Sequence, residues 1–253
     1  MSWQAPQAAL LPDGKRLHLH HGPIDLIIGV SEQAREGCFE RATERFETVL
    51  SGLAADLDIL RQPRTSTVTD PIAQRMMAAV ALIRDRFVTP MAAVAGAVAD
   101  EVLAAMLSGQ TPLKAYVNDG GDIAFHLSNG SVFDVQSPAG KMQITANDRS
   151  RGIATSGWQG RSHSLGIADA VTVAAKTAAE ADVAATLIAN AVDLPDHPAI
   201  HRCPANQLSP DSDLGNRLVT TDVGQLTRSD IATALRSGAA LASEYCARGL
   251  IQQ

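Results

Sequence analysis

Cysteine is scarce in this chain: only Cys38, Cys203 and Cys246 occur among 253 residues, and no two of them form a CxxC pair. An odd count at wide spacing argues against a disulfide framework or a cysteine-based structural zinc site, and it fits a reducing compartment. Aromatic residues make up only 4%, which leaves little for stacking on nucleic-acid bases. The net charge is −6 and no basic stripe is present, so the phosphate-neutralising surface that nucleic-acid binding requires is missing. Arg149 and Arg151 read as local anion contacts or solvated surface. Long apolar runs are lacking too. The most apolar stretch, Met91–Val98, stops at Asp100 and Glu101 and is too short to span a bilayer. Met1–Leu11 has neither the basic start nor the apolar middle of a signal peptide. These absences point to a soluble cytoplasmic protein with no nucleic-acid or membrane partner.

What remains is an ordinary folded composition, 45% hydrophobic and 19% charged. The length suits one domain over 1–253, or two intimately packed halves near 1–110 and 111–253. A core of alanine, valine, leucine and isoleucine favours helices lying close on a sheet. Arg16–His21 alternates and Ile24–Val30 is continuously apolar, with Gly22-Pro23 between them, which predicts two strands or one bent strand. Ser31 opens a long helix whose apolar residues, from Phe39 through Phe46 and Leu53 to Leu60, step by three or four. Asp70-Pro71 starts a helix to about Arg86, and Pro90 starts another through Leu107. Lys114–Asn118 and Ile123–Leu127 read as strands, and Ser131–Gln136 and Met142–Ala146 continue a meander after the Asn129-Gly130 turn. Arg149–Gly166 reads as a polar, glycine-rich loop and Asp169–Ala175 as a strand. Thr177-Ala-Ala-Glu180 has the pattern of a capping box opening a helix to Ala191. Pro195–Gln225 is irregular apart from a strand at Arg217–Thr221, and Thr227–Arg248 is the last helix. Strands, helices, strands and helices in that grouping indicate an α+β fold.

Several short patterns can carry chemistry. In Asn118-Asp119-Gly120-Gly121-Asp122 two glycines allow a sharp turn or the close approach of a flat ligand, and the acids can accept from a ribose hydroxyl or a ring N–H. Ile153-Ala-Thr155-Ser156-Gly157 is either a structural loop or a set of donors for phosphate. Asp182 and Thr186, four residues apart on one helix face, suit a hard cation such as Mg²⁺ or are simply an exposed acid and a packed threonine. His18 and His20 share one side of a strand with His21 on the other, without the further ligands zinc needs. His163 is a candidate general base, a phosphate contact or a solvated loop residue. Asp211-Ser-Asp213-Leu-Gly215 lacks the remaining positions of a calcium loop.

In their order these pieces resemble the ApbE-like proteins, FAD:protein FMN transferases and relatives. That group carries a GxxxD helix, a GGD turn, a TSG loop, and a strand followed by an AD-x-x-x-T helix. Here the matching pieces are Gly96-Ala-Val-Ala-Asp100, Gly120-Gly121-Asp122, Thr155-Ser156-Gly157, Asp169–Val173 and Ala181-Asp182-Val-Ala-Ala-Thr186. The likeness is good over Met91–Asn190 and loose over the N-terminal strands and helix. Met91–Ala97 and Ser162–Gly166 look like the signal-less branch known as UPF0280. The resemblance implies a T-fold-like α+β architecture, antiparallel sheets covered by helices, which pterin- and purine-handling enzymes also use. It implies FAD or a related heteroaromatic ligand in a cleft, with Mg²⁺ held by Asp182, Thr186 and a carbonyl near Ala95. Gly96, Asp100, Gly120, Gly121 and Asp122 would belong to the ligand site, Thr155, Ser156 and Gly157 would lie near the phosphates, and His163 and Asp182 are the catalytic candidates. The implied activity is Mg²⁺-dependent FAD pyrophosphatase or FMN transferase. A second expectation is an enzyme acting on a pterin or another heteroaromatic one-carbon-carrier precursor, as in methanopterin-type cofactor biosynthesis. A third is a non-enzymatic ligand-binding or assembly protein, with Phe39–Leu60 serving homo-oligomerisation.

Overall fold

The computed structural model describes residues 4–63, 66–137 and 140–252. The chain begins with three strands, β1 (Gln7–Leu10), β2 (Arg16–His21) and β3 (Ile24–Val30). Gly22, with φ +59°, makes the tight turn between β2 and β3. Leu17, Leu19, Leu26 and Ile28 alternate onto one buried face, as the period of two requires. Five helices follow: α1 (Arg35–Phe46), α2 (Val49–Ala55), α3 (Leu57–Leu60), α4 (Pro71–Ala81) and α5 (Val94–Leu107). Asp70 caps α4, accepting from the amides of Ile72 and Ala73 at 2.8 and 3.1 Å, ahead of Pro71 in the first turn.

Strands β4 (Lys114–Asp119), β5 (Asp122–Leu127), β6 (Val132–Ser137), β7 (Gly140–Thr145), β8 (Gly152–Ser156) and β9 (Val171–Ala175) come next, then α6 (Ala178–Ala191). Seven strands form one sheet in the order β1-β2-β3-β4-β5-β8-β9, antiparallel at every pairing. The chain ends with β10 (Ile200–Pro204), the short α7 (Ala205–Leu208), β11 (Leu218–Val223) and α8 (Arg228–Ala247), with β10 and β11 paired as a separate ribbon. The fold is α+β, as the grouping of elements indicates.

One face of the large sheet carries the main core. Helices α5 and α6 lie against it, with Ala115, Val117, Ala124, Ala154 and Val173 beneath them. The β6–β7 hairpin covers part of the opposite face, where Phe125 and Phe133 stack at 4.8 Å. Glycine and alanine let helices and sheet approach closely. A Cβ on Gly96 would lie 2.3 Å from the Ala178 carbonyl oxygen, and one on Gly152 would lie 2.0 Å from the Ala178 amide nitrogen. The outer helices are tied on by Glu101 of α5, which receives Arg45 of α1 at 3.1 Å and Arg75 of α4 at 2.9 Å.

Five expectations are corrected, the first being that Pro195–Gln225, read as irregular apart from Arg217–Thr221, also holds β10 and α7. The Phe39–Leu60 helix is three helices, interrupted at Thr48 and Asp56, whose backbones leave regular helical values (φ −105° and −101°). The buried seam of Phe39, Ala42, Phe46, Val49, Leu53 and Leu60 continues through both breaks, so its periodicity does not register them. The helix after Asp70 stops at Ala81 rather than near Arg86. Arg149–Gly166 is not all loop, because Gly152–Ser156 is an inner strand. The meander leaves the main sheet, since β6 and β7 pair only with each other in the assigned sheets. Pro90–Leu107 is the described segment long and apolar enough, by length and composition alone, to cross a membrane. Within the fold it is a core segment, half of it buried and packed on by α1, α4, α6 and the sheet.

The Gly152 contact yields a direct test. Gly152→Ala is expected to push the first turn of α6 off the sheet and to destabilise the protein by about 3 kcal/mol, the range of overpacking a tight core. A urea midpoint equal to wild type would show that the junction has slack that the distances deny.

Candidate functional site

Helices α5 and α6 meet by their N-terminal turns, and each supplies the other's cap. An α-helix begins with amides that have no partner inside the helix. Asp100, in the second turn of α5, accepts from the Ala178 and Ala179 amides that open α6, at 3.0 and 2.9 Å. Asp182, in the second turn of α6, accepts from the Gly96 amide near the start of α5 at 3.1 Å. The Ala95 amide also acts on Asp182. Gly96 and Asp100 therefore form the helix junction, and the Asp100 carboxylate is already engaged there.

Asp182 opens onto a cleft of about 380 Å³. Thr186 and Asn190 follow it along the same face of α6 at steps of four and also line the cleft. Asp122 enters from the sheet, and Arg161 and His163 from the β8–β9 connection. Ser209–Leu214, between α7 and β11, form much of the remaining wall. His163 Nε2 lies 3.3 Å from Ser209 Oγ. The Asn190 side-chain oxygen accepts from Ser164 Oγ at 3.1 Å and the Leu165 amide at 2.9 Å, which holds the loop against α6. Thr89, just before α5, donates its hydroxyl to Asp213, fastening the far wall.

The carboxylates are crowded. Asp119 and Asp122 face each other across the β4–β5 turn and share the helix side of the sheet with Val117 and Ala124. Burial raises Asp119 to about 7, opposed by Arg161. Burial and the charge of Asp119 raise Asp122 to about 7, opposed by the Thr155 amide and Arg161. Burial, with Asp122 and Asp119 nearby, pushes Asp182 well above the usual carboxylate range, against the pull of the α5 amides. Such a cluster favours a proton, a cation or a cationic partner. Among the described residues no three His, Cys, Asp or Glu side chains converge closely enough to hold a metal by themselves. A larger depression of about 710 Å³ between β1 and α1 has a glutamate-rich wall and contains none of the expected site residues.

Asp122, His163, Asp182, Thr186 and Ala95 thus come together at one cleft. Ala95 lines the cleft and faces Asp182 with its amide. Gly120 and Gly121 form the β4–β5 turn, with φ +63° and +114°, and do not line the cleft, although Asp122 beside them does. The Gly121 amide donates to Asn118 at 2.8 Å. Thr155, Ser156 and Gly157 do not line the cleft. The Thr155 hydroxyl meets that of Thr172 at 2.9 Å, and its amide donates to Asp122 at 3.3 Å. Gly157 allows the strand to pass the Asp169 carbonyl, 2.1 Å from where a Cβ would stand. The Thr155 amide thus steadies Asp122. Sequence reasoning missed Asn190, Arg161, Ser209 and Asp213 as cleft residues. The i, i+4, i+8 spacing from Asp182 could have found Asn190, whereas the others depend on how loops return.

The family model described as AbpE bacteria matches residues 8–253. The chain belongs to that family. This AbpE-family chain is also similar to archaeal proteins named UPF0280 protein. It is 41% identical to one from Methanococcus vannielii over 46% of this chain and 50% of the relative. It is 37% identical to one from Methanothermobacter thermautotrophicus over 50% of each, and 35% identical to one from Archaeoglobus fulgidus over 42% of this chain and 45% of the relative. The chain spans about half the length of the curated relatives it matches.

The Asp100 cap carries a pH signature. Burial raises its carboxyl from 3.8 to about 6 despite the two α6 amides. The folded state therefore keeps a proton that the unfolded state has released between those values, and this carboxyl's contribution to stability falls as pH rises through that window. Asp100→Asn, which removes one acceptor, is expected to cost about 1–2 kcal/mol. The stability gap between wild type and variant should narrow from about pH 4 to about pH 7. Urea titrations at several pH values would reveal the trend, and a gap that widens instead would contradict it.

Proposed function

We propose that this AbpE-family protein binds FAD, or a closely related flavin dinucleotide, together with Mg²⁺, and acts on the pyrophosphate as an FAD pyrophosphatase or FMN transferase. The observation that carries this reading is the Asp182–Thr186 pair on one face of α6, opening on the same cleft as Asp122, Arg161 and His163. A carboxylate and a hydroxyl are the oxygen donors that Mg²⁺ takes, and Mg²⁺ usually keeps several waters and shares the phosphates of its substrate. The lack of a three-side-chain metal cluster among the described residues fits an ion held in that way. Asp182 and Thr186 would hold it.

When bound, the ion would neutralise charge on the pyrophosphate oxygens and orient the attacked phosphorus. The protein's own groups supply the rest. The α5 amides hold the Asp182 carboxylate in one orientation. Arg61 and Arg161, both lining the cleft, provide positive charge for phosphate oxygens. His163, beside Ser209, can accept the proton of an attacking hydroxyl. The Ser209–Leu214 wall narrows access of water to the reacting atoms.

The test is FAD binding by purified protein with and without Mg²⁺, with FMN release followed in the same sample. Thr186→Val keeps the size of the side chain and leaves the caps intact. It is expected to weaken Mg²⁺-dependent binding by about tenfold or more. Asp182→Asn is expected to abolish FMN release. Wild-type protein that binds no FAD with Mg²⁺ present would overturn the flavin reading.

A further inference from the structure

Asp119 is unused by the chemistry proposed above, yet it is an unusual group. It is 4% exposed, and among the described residues its Oδ1 is buried without a hydrogen-bond partner. A buried carboxylate oxygen left unpaired is costly, and such exceptions call for a reason. Its nearest cation is Arg161, whose NH2 group stands 3.6 Å away, beyond hydrogen-bond length. Arg161 is itself 65% exposed and is held by one contact to the Pro23 carbonyl at 3.2 Å. Its NH2 group, a planar N–H donor, lies over Gly120, 2.8 Å from where a Cβ would sit. A Cβ on neighbouring Gly121 would meet nothing within 4 Å. The Asp25 amide also acts on the Asp119 carboxylate, but on the side of the free Oδ1 the turn carries only one exposed, flat N–H donor.

A metal is a poor match for the free oxygen, because the Arg161 guanidinium 3.6 Å away would repel a second cation. A planar heterocycle fits better. It can lie over two residues without side chains, and a ring N–H can take the place of the guanidinium N–H. We infer that Asp119 is a specificity-determining residue that accepts a hydrogen bond from a ring N–H of a heteroaromatic ligand lying over the Gly120-Gly121 turn, displacing Arg161. The inference rests on the flavin reading for the identity of the ring, and on the geometry of Asp119 for the contact. In an isoalloxazine the matching group is the N3–H between two carbonyls.

Paired ligands separate the two ideas. Affinities of the wild-type protein for FAD and for 3-methyl-FAD, in which a methyl group replaces that N–H hydrogen, are measured with Mg²⁺ present. A site built to accept a ring N–H is expected to prefer FAD by roughly tenfold or more. Asp119→Asn, with a weaker neutral acceptor, is expected to lose affinity for FAD by roughly tenfold and to leave 3-methyl-FAD unchanged. Equal wild-type affinity for the two flavins overturns the role of Asp119 while the flavin reading stands. If neither flavin binds, the flavin reading fails, and lumazine against 3-methyllumazine decides Asp119 alone. Preference for the unmethylated ring supports the assignment, and equal or absent binding of the pair overturns it. The wild-type comparison decides the matter even if the variant does not fold.

Discussion

Two helix N-termini face each other at the centre of this protein, and each is closed by an aspartate from the other helix. Gly96 precedes Asp100 by four residues on α5, and Ala178 precedes Asp182 by four residues on α6. The small residue of each pair permits the contact, and the acid one turn later reaches across it. Each exchange satisfies amides that would otherwise lie buried without partners. The positive ends of two helix dipoles converge there on two carboxylates. The alanine-rich composition, the glycine on the underlying strand and the position of the cleft all depend on this crossing.

The cleft is a consequence of the same crossing. Once Asp182 is held by the start of α5, the rest of its helix face, Thr186 and Asn190, points along the wall. The sheet then delivers Asp122 and Asp119 from the turn between its central strands. Three carboxylates on different elements are brought into one poorly solvated region, and each is held above the usual carboxylate range. That concentration of like charge is unfavourable for stability alone, which makes the region the candidate functional site. Arg161 offsets part of it from a loop, and the loops on both sides are fastened by polar contacts, Ser164 and Leu165 to Asn190 and Thr89 to Asp213.

Much of the scaffold was legible because local rules and global packing agree. The alternating Arg16–His21 strand, the Asp70 cap, the Thr177 cap and the Thr227 start of α8 all stand where their residues demand. The failures share a cause. Seam periodicity persists through a change of helix direction, so Thr48 and Asp56 were invisible as breaks. Gly152–Ser156 is short and flanked by polar loop residues, and it is a strand because β5 and β9 are available to pair with it. Its glycine answers to the backbone of α6, 26 positions further along the chain, a partner that no local pattern announces.

The candidate site divides in the same way. The sequence by itself determined which chemical groups lie on one helix face, because Asp182 and Thr186 need only the helical repeat to be neighbours, and it marked Gly120-Gly121 as a place for a sharp turn, because glycine takes the positive φ that other residues resist. Tertiary structure alone decided that Asp100 is engaged as a cap while Asp182, in the equivalent position, borders a cleft. It also decided that the Thr155 amide steadies Asp122 instead of lining the cleft, and that Asp119 is buried with an oxygen unpaired. Those outcomes depend on distances between elements far apart in the chain, and burial and electrostatic coupling exist only once those distances are set.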